Sequence, residues 1–249
     1  MYFVKDQGYE KYTSEDLTVW STLFKRQMKM LPNLAEKEFF KGIEVIGFTE
    51  DQIPNFDDLD KSLLKVTGWS ISPVTGLIPN KEFFELLKAK KFPSSSWFRK
   101  LSELDYLEEP DMFHDIYGHV PLLANQDFCK FLEDMSIIAL KYIDNEHIIE
   151  LISRLYWYTV EFGLINTKEG LRIYGAGILS SKGESDYSLH SDIPKRVDFN
   201  VLEILKTPYI KDKFQEKYWV IQSYKDLHNS LSELDELLEK INNNELVIQ

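Results

Sequence analysis

The stretch EEPDMFHDIYGHVPLL, residues 108–123, carries the densest group of chemically functional side chains in the chain. It holds two of the five histidines, His114 and His119, which are separated by five positions. On a regular α-helix five residues turn through about 500°, which leaves the two side chains about 140° apart. Gly118 and Pro121 predict that the helix ends there, so that His119 can turn back toward His114.

A second stretch, YWYTVEFGL at residues 156–164, supplies a third candidate metal ligand. Glu161 stands there among aromatic residues, where an uncompensated charge is costly, so its carboxylate should meet a cation or a metal. Two histidines and one carboxylate with open positions form the ligand set of non-haem Fe(II) oxygenases. The H-E-x-x-H spacing of zinc proteases is absent, so that class is not predicted. A structural histidine pair with a salt-bridged glutamate is the alternative to a metal site.

Composition excludes several classes of protein. The 249 residues include 29 Lys and Arg against 41 Asp and Glu, a formal net charge of −12, which argues against nucleic-acid and anionic-membrane partners. A hydrophobic content of 43% is enough for a large core and excludes disorder of the whole chain. The single cysteine, Cys129, excludes a disulfide framework and is predicted to lie in the core. Without a signal peptide or an apolar run of membrane-spanning length, we expect a cytoplasmic protein.

Periodicity predicts a mainly α fold with a small β component, in one catalytic domain over residues 1–249. We find no repeat and no linker that would divide the chain. The predicted core spans about 16–223, and a C-terminal helix spans about 224–242. Helices are predicted at 15–30 after a cap at Ser14, 34–46, 57–65, 80–91, 126–142 and 146–164. Strands are predicted at 74–78, 171–174, 198–204 and 218–222.

The C-terminal helix has a regular heptad pattern of apolar residues, formed by Tyr224, Leu227, Leu231, Leu234, Leu238 and Ile241. The pattern covers less than the three to four heptads, roughly, that identify a coiled coil. A terminal helix packed on its own domain, in a monomer, is therefore the first expectation. A helix that forms a dimer is the alternative.

The two stretches, together with YGAGILSSKGE at 174–184, resemble the conserved blocks of the pterin-dependent aromatic amino acid hydroxylases. Weaker similarity is present at 53–69, 73–84 and 214–224, so the likeness covers roughly Trp20 to Tyr224. The resemblance is strongest to bacterial members that act on phenylalanine. It implies the hydroxylation of L-phenylalanine to L-tyrosine with O₂, a tetrahydropterin and Fe(II). Alternatives are a sibling enzyme that acts on tryptophan or at another ring position, and a zinc hydrolase with the same ligands.

The resemblance also implies roles for individual residues. It places the iron ligands on His114, His119 and Glu161. It places substrate contacts on Arg99, Asp111, Trp157, Gly177 and Ser180, and pterin contacts on Gly76, Leu77, Ile78, Phe83, Asp115 and Tyr156. For Arg99 the alternative is a solvated loop cation, and for Trp157 and Phe83 it is ordinary core packing. Two positions depart from many relatives, since Asp115 replaces a glutamate and Asn80 replaces a serine.

Overall fold

The computed structural model describes residues 2–105 and 109–248; Glu108, which begins the first quoted stretch, and the two terminal residues of the predicted domain lie outside the described residues. Helix accounts for 56% and strand for 12%, which confirms the predicted mainly α class. The α-helices are α1 (Ser14–Met30), α2 (Lys37–Ile46), α3 (Phe56–Val66), α4 (Asn80–Lys88), α5 (Gln126–Lys141), α6 (Glu146–Tyr156), α7 (Ala176–Leu179), α8 (Lys182–His190), α9 (Val201–Leu205), α10 (Tyr224–Asn229) and α11 (Leu231–Asn242). Short 3₁₀ turns lie at Tyr9–Lys11, Leu31–Asn33, Leu101–Glu103 and Val120–Ala124, and π-helical segments at Phe113–His119 and Trp157–Glu161.

Polar caps begin the helices close to where the sequence predicts them. Thr13, rather than the predicted Ser14, caps α1 in a reciprocal pair with Asp16. The side chain of Asn125 accepts the backbone N–H of Phe128 in the first turn of α5, and Asn145 accepts that of Ile148 in the first turn of α6. Each such cap stabilises its helix by about 1 kcal/mol, so α5 and α6 begin at fixed positions.

Two small sheets connect the helices. Strand β1 (Ser70–Val74) pairs in parallel with β2 (Lys91–Ser95). The second sheet contains β3 (Leu164–Thr167), β4 (Gly170–Ile173), β5 (Lys195–Asp198) and β6 (Lys217–Ile221), in the order β4-β3-β6-β5. Strands β3 and β4 form an antiparallel hairpin, and β6 lies parallel to both β3 and β5. Strand β2 ends four residues before Arg99, and β3 starts three residues after Glu161. Each sheet therefore fixes the backbone next to one of these two residues.

Two of the predicted strands are wrong. The strand predicted at 74–78 ends at its first residue, because Gly76 has a φ of 147° and the chain turns there into a loop. The strand predicted at 198–204 stops at its first residue too, because Asn200 caps α9 and starts a helix instead. The other two, at 171–174 and 218–222, correspond to β4 and β6 with ends shifted by one residue.

Aromatic side chains form the core around the histidine-bearing segment. Phe113 and Tyr117 are fully buried and stack with ring centroids 4.8 Å apart. Trp20 of α1 packs edge-on against Phe113 at 5.7 Å, and Phe39 of α2 packs against Tyr117 at 5.5 Å. Full burial of one such side chain contributes roughly 1.5–3 kcal/mol, so the histidines lie on the most firmly held part of the fold.

The predicted C-terminal helix consists of two helices, α10 and α11, which meet at Ser230. Its six heptad positions are nevertheless all at least nine-tenths buried in the single chain. They pack mainly toward α5, α6 and α9. Among the described residues, no helix combines the length and the apolar character that a bilayer crossing requires.

Candidate active site

Both histidines lie on the π-helical segment Phe113–His119. Hydrogen bonding in a π-helix links residues five positions apart, so His114 and His119 lie on the same face. The π-helical segment ends at His119, between Gly118 and Pro121 as predicted, but its geometry rather than a break in the helix brings His119 next to His114. The wide π-helix is followed directly by the narrower 3₁₀ turn Val120–Ala124.

A second π-helical segment, Trp157–Glu161, extends α6 and ends at the third candidate ligand. The backbone of the YGAG block packs directly against it. A Cβ atom at Gly175 would lie 2.4 Å from the carbonyl oxygen of Glu161, and one at Gly177 would lie 2.8 Å from the ring of Phe162. The lack of a side chain at these two glycines therefore permits the close packing that positions Glu161. Their role differs from that of the Gly-rich loops that bind dinucleotides.

The three candidate ligands converge on one point. The Nε2 atom of His119 lies 3.1 Å from Oε1 of Glu161, and Nε2 of His114 lies 3.5 Å from Oε2. The two Nε2 atoms are 3.2 Å apart. All three ligand atoms lie within 4.8 Å of one another, a separation that one metal ion can bridge.

A hydroxyl group fixes the tautomer of His114. Ser180 Oγ lies 2.9 Å from Nδ1 of His114 and donates its own hydrogen to the carbonyl oxygen of Ala176. Because a hydroxyl has one hydrogen, Oγ must accept from Nδ1–H, which leaves the lone pair on Nε2 free for a metal. Burial lowers the pKa of His114 to about 4 despite the opposing effect of Glu161, so this imidazole is neutral at pH 7.

The donor set fits a divalent iron. Burial acts to raise the pKa of Glu161, but His119 and His114 outweigh it and hold that pKa below its usual value, so the carboxylate is ionised. One carboxylate and two imidazoles on one side of a site, with a cavity on the other, form the 2-His-1-carboxylate arrangement of non-haem iron oxygenases. His114, His119 and Glu161 could therefore hold Fe(II) with positions open toward the cavity.

Arg99 is held by a buried carboxylate and is not a solvated loop cation. Its Nε and Nη2 atoms donate to Asp111 at 2.9 and 2.8 Å, and Asp111 is completely buried. Asp111 also accepts from the backbone N–H groups of Arg99 and His114. Burial acts to raise the pKa of Asp111, but Arg99 outweighs it and lowers that pKa. One carboxylate thus links Arg99 to the start of the histidine-bearing segment.

A cavity of about 960 Å³ lies in front of the three candidate ligands. Its volume is at the upper end of the roughly 300–1,000 Å³ that small-molecule sites occupy. Of the residues implicated by resemblance, only Asp111 does not line it, because Asp111 lies behind Arg99. Those that line it are Gly76, Leu77, Ile78, Phe83, Arg99, His114, Asp115, His119, Tyr156, Trp157, Glu161, Gly177 and Ser180.

The residues predicted to contact a pterin all line the cavity. Phe83 is half-buried and packs edge-on against Tyr156 with ring centroids 5.4 Å apart. The carboxylate of Asp115 accepts the backbone N–H of Ser95 at 2.7 Å. Burial raises the pKa of Asp115 to about 7 against the opposing effects of Ser95 and His119. Asn80, the first residue of α4, lines the cavity as well.

Aromatic residues from distant parts of the chain also line the cavity. Trp157 stacks on Tyr209 with ring centroids 4.5 Å apart, and Phe162 packs against Trp157 at 4.6 Å. No sequence pattern predicts that Tyr209 lies in the site, nor Phe214 of the same loop, and both line the cavity. Both belong to an irregular loop without periodicity, so no local pattern indicates that they reach the site.

Comparisons with known proteins agree with this geometry. The sequence profile of the biopterin-dependent aromatic amino acid hydroxylases matches residues 7–245. The chain is 47% identical to phenylalanine-4-hydroxylase of Chromobacterium violaceum over 92% of its own length and 76% of the relative's. It is 46% identical to phenylalanine-4-hydroxylase of Ralstonia nicotianae over 92% of its own length and 72% of that relative's.

A solved structure shows the same fold. The crystal structure of phenylalanine hydroxylase from C. violaceum with bound oxidised Fe(III) superposes with a TM-score of 0.91. The match is 46% identical and covers 95% of this chain and 87% of that one. With nearly the whole chain matched in sequence and in structure, this protein belongs to the family of biopterin-dependent aromatic amino acid hydroxylases.

Proposed function

We propose that this protein is a phenylalanine 4-monooxygenase, an oxidoreductase that converts L-phenylalanine into L-tyrosine and serves phenylalanine catabolism. The observation that carries the proposal is the convergence of His114, His119 and Glu161 at a cavity that Arg99 also lines. Relatives that carry the name phenylalanine-4-hydroxylase, at 46–47% identity over 92% of the chain, support this choice of substrate.

In the proposed reaction His114, His119 and Glu161 hold Fe(II). Bound iron and a tetrahydropterin supply the activation of O₂, with the pterin providing two electrons. The residues that would hold the pterin are Gly76, Leu77, Ile78, Phe83, Asp115 and Tyr156, all of which line the cavity. Holding the two reactants in one cavity supplies much of the rate by proximity and orientation.

The remaining residues bind and orient the amino acid. Arg99 presents a guanidinium group whose orientation is fixed by Asp111, which suits it to the substrate carboxylate. Trp157 forms an apolar wall for the aromatic ring of the substrate. Gly177 and Ser180 line the part of the cavity that takes the backbone atoms of the amino acid. The aromatic wall also keeps water away from the reacting atoms.

The direct test is aerobic turnover of L-phenylalanine with Fe(II) and tetrahydrobiopterin, with the product identified by chromatography. We expect tyrosine, and none when iron or pterin is omitted. A different hydroxyphenylalanine would contradict hydroxylation at the 4-position. Activity on tryptophan alone would contradict phenylalanine as the substrate. Activity that depends on zinc and needs no O₂ would contradict the oxygenase as a whole.

Arg99→Lys tests the proposed substrate carboxylate site. Lysine keeps the positive charge but loses the planar pair of donors. Because a hydrogen bond to a charged group contributes about 1.5–3 kcal/mol, we expect the KM for L-phenylalanine to rise at least about tenfold. The KM for the pterin should stay within about twofold. Arg172→Lys, on β4 and away from the cavity, is the control; an unchanged phenylalanine KM in Arg99→Lys would remove Arg99 from this role.

Ser180→Ala tests the hydrogen bond that sets the tautomer of His114. Without the hydroxyl, Nδ1 loses its partner and Nε2 is no longer held free for the metal. Loss of such an outer partner typically costs about 10- to 100-fold in metal affinity, and we expect iron affinity to fall by that much. Titration with Fe(II) under anaerobic conditions measures it. Ser180→Thr, which keeps a hydroxyl, should retain most of the affinity, and equal loss in both variants would count against the tautomer argument.

We propose further that one catalytic domain spans residues 1–249 and acts as a monomer in the cytoplasm. Burial of the C-terminal heptad positions within the single chain favours a monomer over a dimer formed through this helix. A free, buried cysteine and the absence of a bilayer-crossing helix among the described residues agree with a cytoplasmic site. Sedimentation at micromolar concentration distinguishes monomer from dimer.

A further inference from the structure

We propose that Gln215 is a positioning residue that fixes the Trp157 indole against the substrate ring and joins it to the loop of residues 207–216. This inference rests on the proposed function, in which Trp157 is the wall for the substrate ring. Gln215 is 4% exposed and does not itself line the cavity. It therefore acts on the substrate through Trp157.

The hydrogen bonds of Gln215 define the orientation of its side chain. Its amide nitrogen donates to the carbonyl oxygens of Ile210 and Lys213, at 2.9 and 3.3 Å. Since both partners can only accept, the amide oxygen must point the other way. That oxygen accepts the indole N–H of Trp157 at 3.0 Å. The loop and the indole thus share one amide group, and neither can move without breaking its bonds.

A buried acid holds the backbone of Gln215. Glu184, which is 5% exposed, accepts the backbone N–H of Gln215 at 3.1 Å and the hydroxyl of Tyr218 at 2.6 Å. Glu184 is the last residue of the YGAGILSSKGE stretch and belongs to α8, and Tyr218 belongs to β6. Gln215 is therefore attached to α8 through Glu184, which is itself bonded to β6, and the loop that Gln215 closes is anchored at that end.

The indole needs this partner to keep its orientation. Tyr209 stacks on Trp157 and Phe162 packs against it, but aromatic contacts alone allow the ring to slide or to turn over. The bond from the indole N–H to Gln215 selects one of these orientations. Loss of that bond would leave the partly buried indole N–H without a partner, at a cost that favours rotation of Trp157. The substrate ring would then lie less firmly over the metal site.

The test compares Gln215→Met, which keeps the length and volume of the side chain but removes all its polar atoms, with the wild type. We expect the KM for L-phenylalanine to rise about tenfold, as for the loss of a buried hydrogen bond. More pterin should be oxidised for each tyrosine formed, while the pterin KM stays within about twofold. Unchanged phenylalanine KM and unchanged coupling would overturn the inference.

A double-mutant cycle tests whether Gln215 acts through the indole. Trp157→Phe removes the N–H, so in this background Gln215→Met should change the phenylalanine KM by less than about half as much on a logarithmic scale. Equal effects in both backgrounds would overturn the inference. Tyr158→Phe is the matched control, because it removes a bond from Tyr158 to Pro208 in the same loop and leaves Gln215 intact. Tyr158→Phe should keep the wild-type ratio of tyrosine formed to pterin oxidised. A fall in this ratio as large as that in Gln215→Met would also overturn the inference.

Two readouts do not depend on turnover. The indole N–H resonance of Trp157, assigned by its loss in Trp157→Phe, should move upfield and exchange faster with solvent in Gln215→Met. Calorimetric titration should show weaker L-phenylalanine binding by about tenfold. If the wild type makes no tyrosine, the proposed function fails, and these two measurements still decide for or against Gln215. An unmoved resonance, or an unchanged Kd, would overturn the inference.

Discussion

Glu161→Ala is expected to abolish iron binding and tyrosine formation together. The variant removes the one anionic ligand and leaves two imidazoles, which hold a divalent iron weakly at neutral pH. Loss of a residue that only hydrogen-bonds a metal ligand lowers metal affinity or activity by about 10- to 100-fold. Loss of a ligand itself should therefore reduce turnover to less than about one hundredth of the wild-type value. Iron content by atomic spectroscopy and tyrosine by chromatography measure the two effects on the same sample.

Glu169→Ala is the control for this experiment. Glu169 is exposed at the β3–β4 turn, eight positions after Glu161, where it pairs with Lys37 and does not line the cavity. Its removal changes the net charge by the same amount, and we expect full iron content and full activity. A Glu161→Ala protein that kept either iron or turnover would contradict the assignment of Glu161 as a ligand.

Asp111→Ala is expected to destabilise the protein by about 3–5 kcal/mol, the cost of leaving a buried charge without its partner. Asp111 is completely buried, Arg99 is 9% exposed, and the two form a pair of parallel hydrogen bonds. The variant also removes the acceptor for the backbone N–H of His114. Chemical denaturation measures the loss, and the folded fraction should show a raised phenylalanine KM.

The double variant Arg99→Leu with Asp111→Leu separates stability from function. Replacing both members of a buried ion pair with apolar residues is often neutral for stability. We therefore expect the double variant to regain most of the stability lost in Asp111→Ala but not to recover phenylalanine binding. A double variant as unstable as the single one would contradict the argument that an uncompensated charge causes the loss.

The chemistry of the site could be predicted from the sequence, but its backbone geometry could not. His114, His119 and Glu161 follow from residue types and from the resemblance, and the structure brings them together. The apolar pattern around the two histidines did not predict a π-helix, because over one turn the apolar patterns of α- and π-helices are nearly the same. The local clue was the separation of five positions, which fits a π-helix better than an α-helix.

Long-range contacts account for most of what sequence analysis missed. Tyr209 and Gln215 reach Trp157 from a loop whose residues carry no periodic signal. The incorrectly predicted strands have a different cause. At 74–78 and 198–204, β-branched and aromatic residues favour a strand in the sequence pattern. In the structure a single residue ends each strand, because Gly76 forms a turn and Asn200 caps a helix.

The most direct test of the central claim, that this site inserts oxygen from O₂ into L-phenylalanine, is turnover under oxygen-18 gas in ordinary water. We expect the tyrosine to carry one oxygen-18 atom in its phenolic hydroxyl group, as determined by mass spectrometry. The label should be absent from products of the Glu161→Ala protein. Tyrosine whose new oxygen came from water, or a product formed equally well without O₂, would contradict the account.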